Sequence, residues 1–183
     1  MSIWTGKKIR LRAPVSEDSV LFTDASGNAD TDTAKLYDRI ELPKSPKAMS
    51  EFLENVNSDS SKDDYLFTVE THDGTPVGQI TAFECDRRNG CFKYGLFIHP
   101  DHKGNGYASE AAVLLLDYYF NQLRYHKANV YIYECNAASI AFHTKLGFKE
   151  EGLSRESAYF DGEYRDIVYM GMLDREFAAY HKK

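Results

Sequence analysis

Long apolar runs are missing. Nowhere do about 18 consecutive residues stay apolar, so no stretch of this sequence spans a bilayer as a single helix. Cysteine is scarce, with three (Cys85, Cys91 and Cys135) among 183 residues. Their number is odd and no CxxC pair occurs, which leaves no disulfide framework and no zinc pattern; each falls in an expected strand and reads as a buried free thiol. The start, MSIWTGKKIRLR, has charge but no apolar core of a secretion signal, which points to the cytoplasm. Positive charge is also short. With 22 Lys and Arg against 28 Asp and Glu, the net charge is −6, which argues against a nucleic-acid partner held through phosphate neutralisation.

What is present is core material: 43% hydrophobic and 14% aromatic residues. A chain of this length buries about 70% of its unfolded surface as one domain, and residues 1–183 read as such, without repeat or linker. The acidity is local. Ser16 to Asp64 carries 12 Asp and Glu against 5 Lys and Arg. Such a stretch is either a solvated acidic face or a field that steers a cationic acceptor.

Taken in order, Lys7 to Arg12 alternates apolar Ile9 and Leu11 with charged neighbours, as a half-buried first strand does. Ser16-Glu17-Asp18 signals a helix start, and Thr23 to Thr33 reads as a loop or a broken helix. Ser45-Pro46 caps a helix with Met49, Phe52, Leu53 and Val56 on one face. Strands follow at Tyr65 to Glu70, Pro76 to Asp86 and Cys91 to Ile98, joined at His72-Asp73-Gly74 and at Arg87 to Gly90, an antiparallel meander. From Tyr107 the positions Ala108, Ala111, Ala112, Leu115, Leu116, Tyr119, Phe120 and Leu123 keep helical spacing. That helix crosses over to a strand at Ala128 to Cys135, which is therefore parallel to Cys91–Ile98. Asn136 caps a short helix ending at Gly147, and strands at Ser154 to Phe160 and Arg165 to Leu173 close the chain around Asp161-Gly162.

The chemically pointed stretch is HPDHKGNGYASEAAVLLL, His99 to Leu116. A strand stops at Pro100 and a glycine-rich turn opens the long helix. Gly104 and Gly106 permit backbone conformations closed to other residues, and the unpaired N–H groups of the first helical turn attract anions, with Lys103 adding a full charge. The pattern is neither GxxxxGK[ST] nor GxGxxG; the latter needs a small residue where Ser109 stands and an acidic one about 20 positions on.

Lys103-Gly-Asn-Gly-Tyr-Ala108 resembles the [Q/R]xxGx[G/A] turn of the GNAT superfamily, the acyl-CoA-dependent N-acetyltransferases, with Lys103 in place of the usual Gln or Arg. Asn136 to Phe148 (NAASIAFHTKLGF) is similar to the family's second signature and Gly152 to Leu173 to its closing hairpin. The likeness covers most of Leu66 to Leu173. It implies an α/β (α+β) fold, a mixed and mostly antiparallel seven-stranded sheet with a central splayed parallel pair and flanking helices. It implies acetyl-CoA as co-substrate, with no metal, its diphosphate on Lys103, Gly104, Asn105, Gly106, Tyr107, Ala108 and Ser109. The backbone of Leu96, Phe97 and Ile98 would meet the pantetheine arm, and Asn136 and Ser139 would contact it.

The resemblance also implies catalytic positions. His143 stands where the spermidine-acetyltransferase branch has the Tyr that protonates the departing thiolate, a task an imidazolium could perform; Tyr133 and Tyr107 are reserve phenols. Glu84 and Glu134 are candidate bases for the acceptor amine, Glu134 sharing a strand face with Val130 and Ile132, where partial burial would raise its pKa. Lys93 stands where many relatives carry Glu. His99 and His102 read as loop histidines beside the phosphate rather than as metal ligands. The implied reaction is acetyl transfer to a primary amine, a polyamine or a protein or peptide N-terminus, by direct attack in a ternary complex. A coenzyme A sensor without turnover is the alternative. No membrane partner is implied, and Tyr159, Tyr164 and Tyr169 suit either a homodimer interface or simple packing.

Overall fold

The computed structural model describes residues 2–22, 45–59, 62–160 and 162–181. Seven strands form one sheet in the order β1-β2-β3-β4-β5-β7-β6: β1 (Ile9–Arg12), β2 (Tyr65–Thr71), β3 (Pro76–Asp86), β4 (Cys91–Ile98), β5 (Lys127–Tyr133), β6 (Lys149–Phe160) and β7 (Glu163–Leu173). The helices are α1 (Pro46–Asn55), α2 (Tyr107–Asn121), α3 (Ala137–Leu146) and α4 (Asp174–His181). The β4–β5 pair is parallel and registers Cys91, Phe92 and Lys93 on Lys127, Ala128 and Asn129. Among the described residues no helix is long and apolar enough to cross a membrane.

The chain divides into two compact units, Met1–Cys85 with Gly95–Leu115, and Asp86–Tyr94 with Leu116–Lys183. In the first unit the alternation of β1 buries Ile9 and Leu11, and Val69, Val77, Ile80, Ala111, Ala112 and Leu115 complete a dry core. The expected hairpin at His72-Asp73-Gly74 is present: the Gly74 N–H donates to Thr71 O and the Thr71 N–H to Thr75 O. Ser45 caps α1 by accepting from the Ala48 N–H at 3.2 Å. Of the four apolar residues expected to face inward, Leu53 is buried, whereas Phe52 is exposed. The helix expected at Ser16 is a 3-10 segment over Ser16–Phe22, and the loop Thr23 to Thr33 lies outside the described residues.

That 3-10 segment is tied down by charge. Asp18, 1% exposed, accepts two bonds from the Arg12 guanidinium at 2.8 Å, one from the Val15 N–H at 2.9 Å and one from the Thr68 hydroxyl at 2.7 Å. Glu70 accepts from Arg12 Nε at 2.6 Å and from Arg10 Nε. Burial by itself would push both carboxyls up; the bonds from arginine, helped at Asp18 by Val15 and Thr68, outweigh it and hold both below their ordinary values. The Arg12 guanidinium is correspondingly locked in its charged form.

The second unit is built on aromatics. Phe92 stacks on Tyr119 at 4.7 Å between centroids and meets Phe120 and Tyr125 edge-on, each well-set pair adding about 0.5–1.5 kcal/mol beyond area burial. The strand expected from Ser154 begins at Lys149. As the last strand of the sheet it pairs with β7 alone and most of its side chains are exposed, so it lacks the alternation that reveals a half-buried strand. Two expectations for cysteine change: Cys135 is exposed, and it lies in the turn after β5. Cys85 and Cys91 are half-buried free thiols. Tyr159 and Tyr164 pack on each other at 5.2 Å while both stay exposed.

Asp18→Asn should cost about 2–3 kcal/mol in urea denaturation, since it strips a buried charge partner from Arg12. Both carboxyls titrate lower when folded than when unfolded. Their stabilisation is therefore whole above about pH 4 and drains as pH falls through the folded values; the variant should lose less stability on acidification than the parent.

Candidate active site

In the first unit, β4 delivers Leu96, Phe97 and Ile98 into a single 3-10 turn at Pro100–His102 and then into the glycine turn. Gly104 and Gly106 have φ of +82° and +81°, a region L side chains enter only under strain. At Gly104 an added Cβ would meet nothing, so conformation alone demands glycine there. The Asn105 amide braces the loop by donating to His102 O at 3.0 Å and Lys103 O at 3.4 Å. The Glu110 N–H donates to Gly106 O at 3.2 Å. Among the described residues, the backbone N–H groups of 104–109 make no hydrogen bond within the protein. Such a row of exposed or half-exposed donors at the N-terminus of a 15-residue helix suits an anion.

A second cation stands at this turn besides the expected Lys103. Lys103 is exposed, and its ammonium has no partner among the described residues. Lys8, from β1's approach, instead donates from Nζ to Asn105 O at 2.8 Å and stands 3.3 Å from where a Cβ on Gly106 would lie. Glu110, in the first turn of α2, accepts from the Lys8 N–H through both carboxylate oxygens at 3.1 Å and also from the Lys7 N–H. Nearby, an open cavity of about 400 Å³ is lined by Lys8, Thr71, His72, Asp73, Asn105 and Tyr107.

In the second unit, Asn136 caps α3 by accepting from the Ser139 N–H at 3.1 Å, and Gly147 ends the helix in the left-handed region at φ +101°. His143, 7% exposed, lies within 5.3–5.6 Å of the rings of Phe148 and Tyr94. Its Nδ1 is 2.8 Å from Ser139 O. A carbonyl only accepts, so Nδ1 carries the proton and Nε2 has the lone pair. Burial drives the imidazole pKa down from its ordinary 6.5 to about 4, with the Ser139 bond opposing only in part. The Tyr94 hydroxyl is buried without a partner, and desolvation raises its pKa far above the phenol range.

Both candidate bases sit at backbone irregularities. Glu84 is exposed, and its φ of +49° turns it into the left-handed region inside β3. Glu134 falls in the turn after β5, its N–H donating to Asp166 O at 3.1 Å. The Glu134 Oε1 atom is 3.6 Å from Arg165 Nη1, while Glu134 Oε2 and Arg165 Nε are buried without partners among the described residues.

Residues 8–149 match the family model of the acetyltransferase (GNAT) domain. The chain belongs to the GNAT acetyltransferase family. It is 35% identical, over 99% of its own length and 98% of the other, to the SPbeta prophage-derived uncharacterized N-acetyltransferase YokL of Bacillus subtilis (strain 168). It is 30% identical to the spermidine N(1)-acetyltransferase of Escherichia coli (strain K12), over 63% of this chain and 62% of that protein. Its fold is similar to that of the spermidine N-acetyltransferase from Vibrio cholerae in complex with CoA and spermine, with a TM-score of 0.80 at 21% identity over 94% of this chain and 99% of that one. The chain is an N-acetyltransferase whose co-substrate is acetyl-CoA.

For a GNAT enzyme the placements divide cleanly. Lys103 to Ser109 form one continuous turn and helix start in the first unit. Asn136, Ser139 and His143 share α3 in the second, where capping and the His143 contact already occupy Asn136 and Ser139. Burial favours the neutral form of His143 over the expected imidazolium. The expected place of Glu134 is corrected: it lies after β5, off the strand face of Val130 and Ile132, and leans on Arg165. Lys8, Glu110, Tyr94 and Arg165 escaped sequence reading because their partners lie far away in the chain. Lys93 holds its ammonium 4.0 Å from the centre of the Tyr131 ring. Among the described residues no group of three or more His, Cys, Asp or Glu side chains is arranged to hold a metal.

Followed by NMR, the His143 ring should remain neutral down to about pH 4. Because it titrates lower folded than unfolded, its contribution to stability should be complete above about pH 6.5 and decline from there to about pH 4.

Proposed function

We propose that this enzyme acetylates a primary amine on a polyamine or on a protein or peptide N-terminus, by direct attack in a ternary complex with acetyl-CoA. The amine lone pair attacks the thioester carbonyl, the C–N bond forms, the C–S bond breaks and the sulfur leaves as thiolate. The nitrogen sheds a proton. The observation that carries the cofactor reading is the row of unused N–H groups over residues 104–109. They suit a diphosphate, which brings many acceptor oxygens and no donors, and the reading places Gly104 to Ser109 against it. The backbone of Leu96, Phe97 and Ile98 is the reading's partner for the pantetheine arm, with Asn136 and Ser139 as further contacts.

For the amine proton, Glu134 is the favoured base over Glu84. One of its oxygens has given up water and gained no hydrogen bond, so a proton arriving there meets little competition. A neutral His143 has no proton on Nε2 to give, so the thiolate takes its proton through water and the imidazole shapes the pocket. The acidic stretch from Ser16 to Asp64 favours a cationic acceptor. Lys93 opposes one near Tyr131, so the acceptor stays open between a polyamine and an N-terminus. The protein works in the cytoplasm, with exposed Tyr159 and Tyr164 available to a second copy.

Thiol release from acetyl-CoA, measured against spermidine, spermine and short peptides with free N-termini, should reveal one responsive class. Silence across the panel would sink the assignment of acceptor. With the responsive amine, Glu134→Gln should lower kcat by about 100-fold and leave KM nearly unchanged. An equal loss confined to Glu84→Gln would transfer the role to Glu84.

A further inference from the structure

We infer that Lys8 is the side-chain cation that grips the cofactor diphosphate, and that Glu110 is the positioning residue that holds Lys8 there. The amino-terminal strand thereby becomes part of the acetyl-CoA site. This rests on the reading of residues 104–109 as the diphosphate cradle.

Three observations converge on Lys8. Its ammonium has three N–H donors; the bond to Asn105 O at 2.8 Å uses one and leaves two for a ligand at the turn. It hangs beside Gly106, in the middle of the unused N–H row, where an oxygen held by the backbone would be within reach. Lys8 and Lys103 are both exposed, but Lys8 is already tethered to the turn by its bond to Asn105 O, whereas Lys103 is tethered to nothing described and loses more freedom on binding.

Glu110 supplies the anchor. A carboxylate in the first turn of α2 would compete with a phosphate for the helix N-terminus. Here it is turned away and satisfied by the Lys7 and Lys8 N–H groups. A Cβ on Gly6 would overlap the same carboxylate, so the glycine is what allows this close approach. The strut fixes the Lys8 backbone beside α2, and the side chain then spans the short distance to the turn. The open cavity beside Lys8 leaves room for a ligand on that side, with the Asp73 carboxylate among its lining as well as Lys8.

The test compares acetyl-CoA with S-acetylpantetheine, which carries the same thioester and arm but no diphosphate. Lys8→Met should raise the KM for acetyl-CoA about tenfold with little change in kcat, weaken coenzyme A in calorimetry by the same factor, and leave S-acetylpantetheine kinetics unaltered. Lys8→Arg should recover most of the loss. Glu110→Ala should move acetyl-CoA in the same direction, again sparing S-acetylpantetheine. Equal damage with both co-substrates would reduce Lys8 and Glu110 to struts of the fold and overturn the inference. So would unchanged coenzyme A affinity in Lys8→Met, or the loss appearing in Lys103→Met instead. Gly106→Val separates this from the reading beneath it: if that variant stays folded and binds coenzyme A normally, the cradle itself is wrong. If it abolishes binding while Lys8→Met does nothing, only the role of Lys8 falls.

Discussion

Everything near the glycine turn follows from a helix that starts without bonding its own first N–H groups. An α-helix always leaves donors over at its N-terminus, and proteins usually quiet them with a capping side chain or water. Here the residues that could have capped them are glycines at positive φ and an asparagine whose amide points backward into the loop. The donors of 104–109 are thus left for something else, and the glycines are tolerated because their conformation cannot be reached cheaply by any L side chain. The same constraint explains why Glu110 is held by β1's approach. An unpaired carboxylate at that point would cancel what the turn offers.

Charge elsewhere is handled on the same principle, that a desolvated ion needs bonds rather than mere proximity. Asp18 and Glu70 are buried, and both are held ionised because Arg12 reaches both and Arg10, Val15 and Thr68 fill the remaining sites. Glu134 and Arg165 are the contrast. They form a loose pair with one orphaned atom on each side among the described residues, a poor way to stabilise a fold. His143 takes a third course. Surrounded by Tyr94, Phe142 and Phe148 and satisfied at Nδ1, it gives up its charge.

The reach of sequence reading tracks where each signal is stored. β2, β3 and β4 were legible because they are runs of strand formers bounded by turn residues, and the Ser45 and Asn136 caps because capping is decided within three residues. β6 was blurred over Lys149 to Leu153, since an edge strand exposed on both faces carries no alternation. Glu134 was placed on a strand face because Val130 and Ile132 set a pattern that the chain abandons at Tyr133. Glu84 gave no local sign of its left-handed backbone.

By itself, then, the sequence determined the elements, the glycine turn before α2 and the family, because these rest on neighbours a few positions apart. It could not decide that Lys8 reaches the turn to bond Asn105 O, that burial favours a neutral His143, or that Glu134 meets Arg165. Those depend on partners separated by up to about a hundred positions, and on burial, which exists only once the sheet and helices have closed over the side chains. A charge, a tautomer or a pKa belongs to a surrounding, and the surrounding is made by the fold.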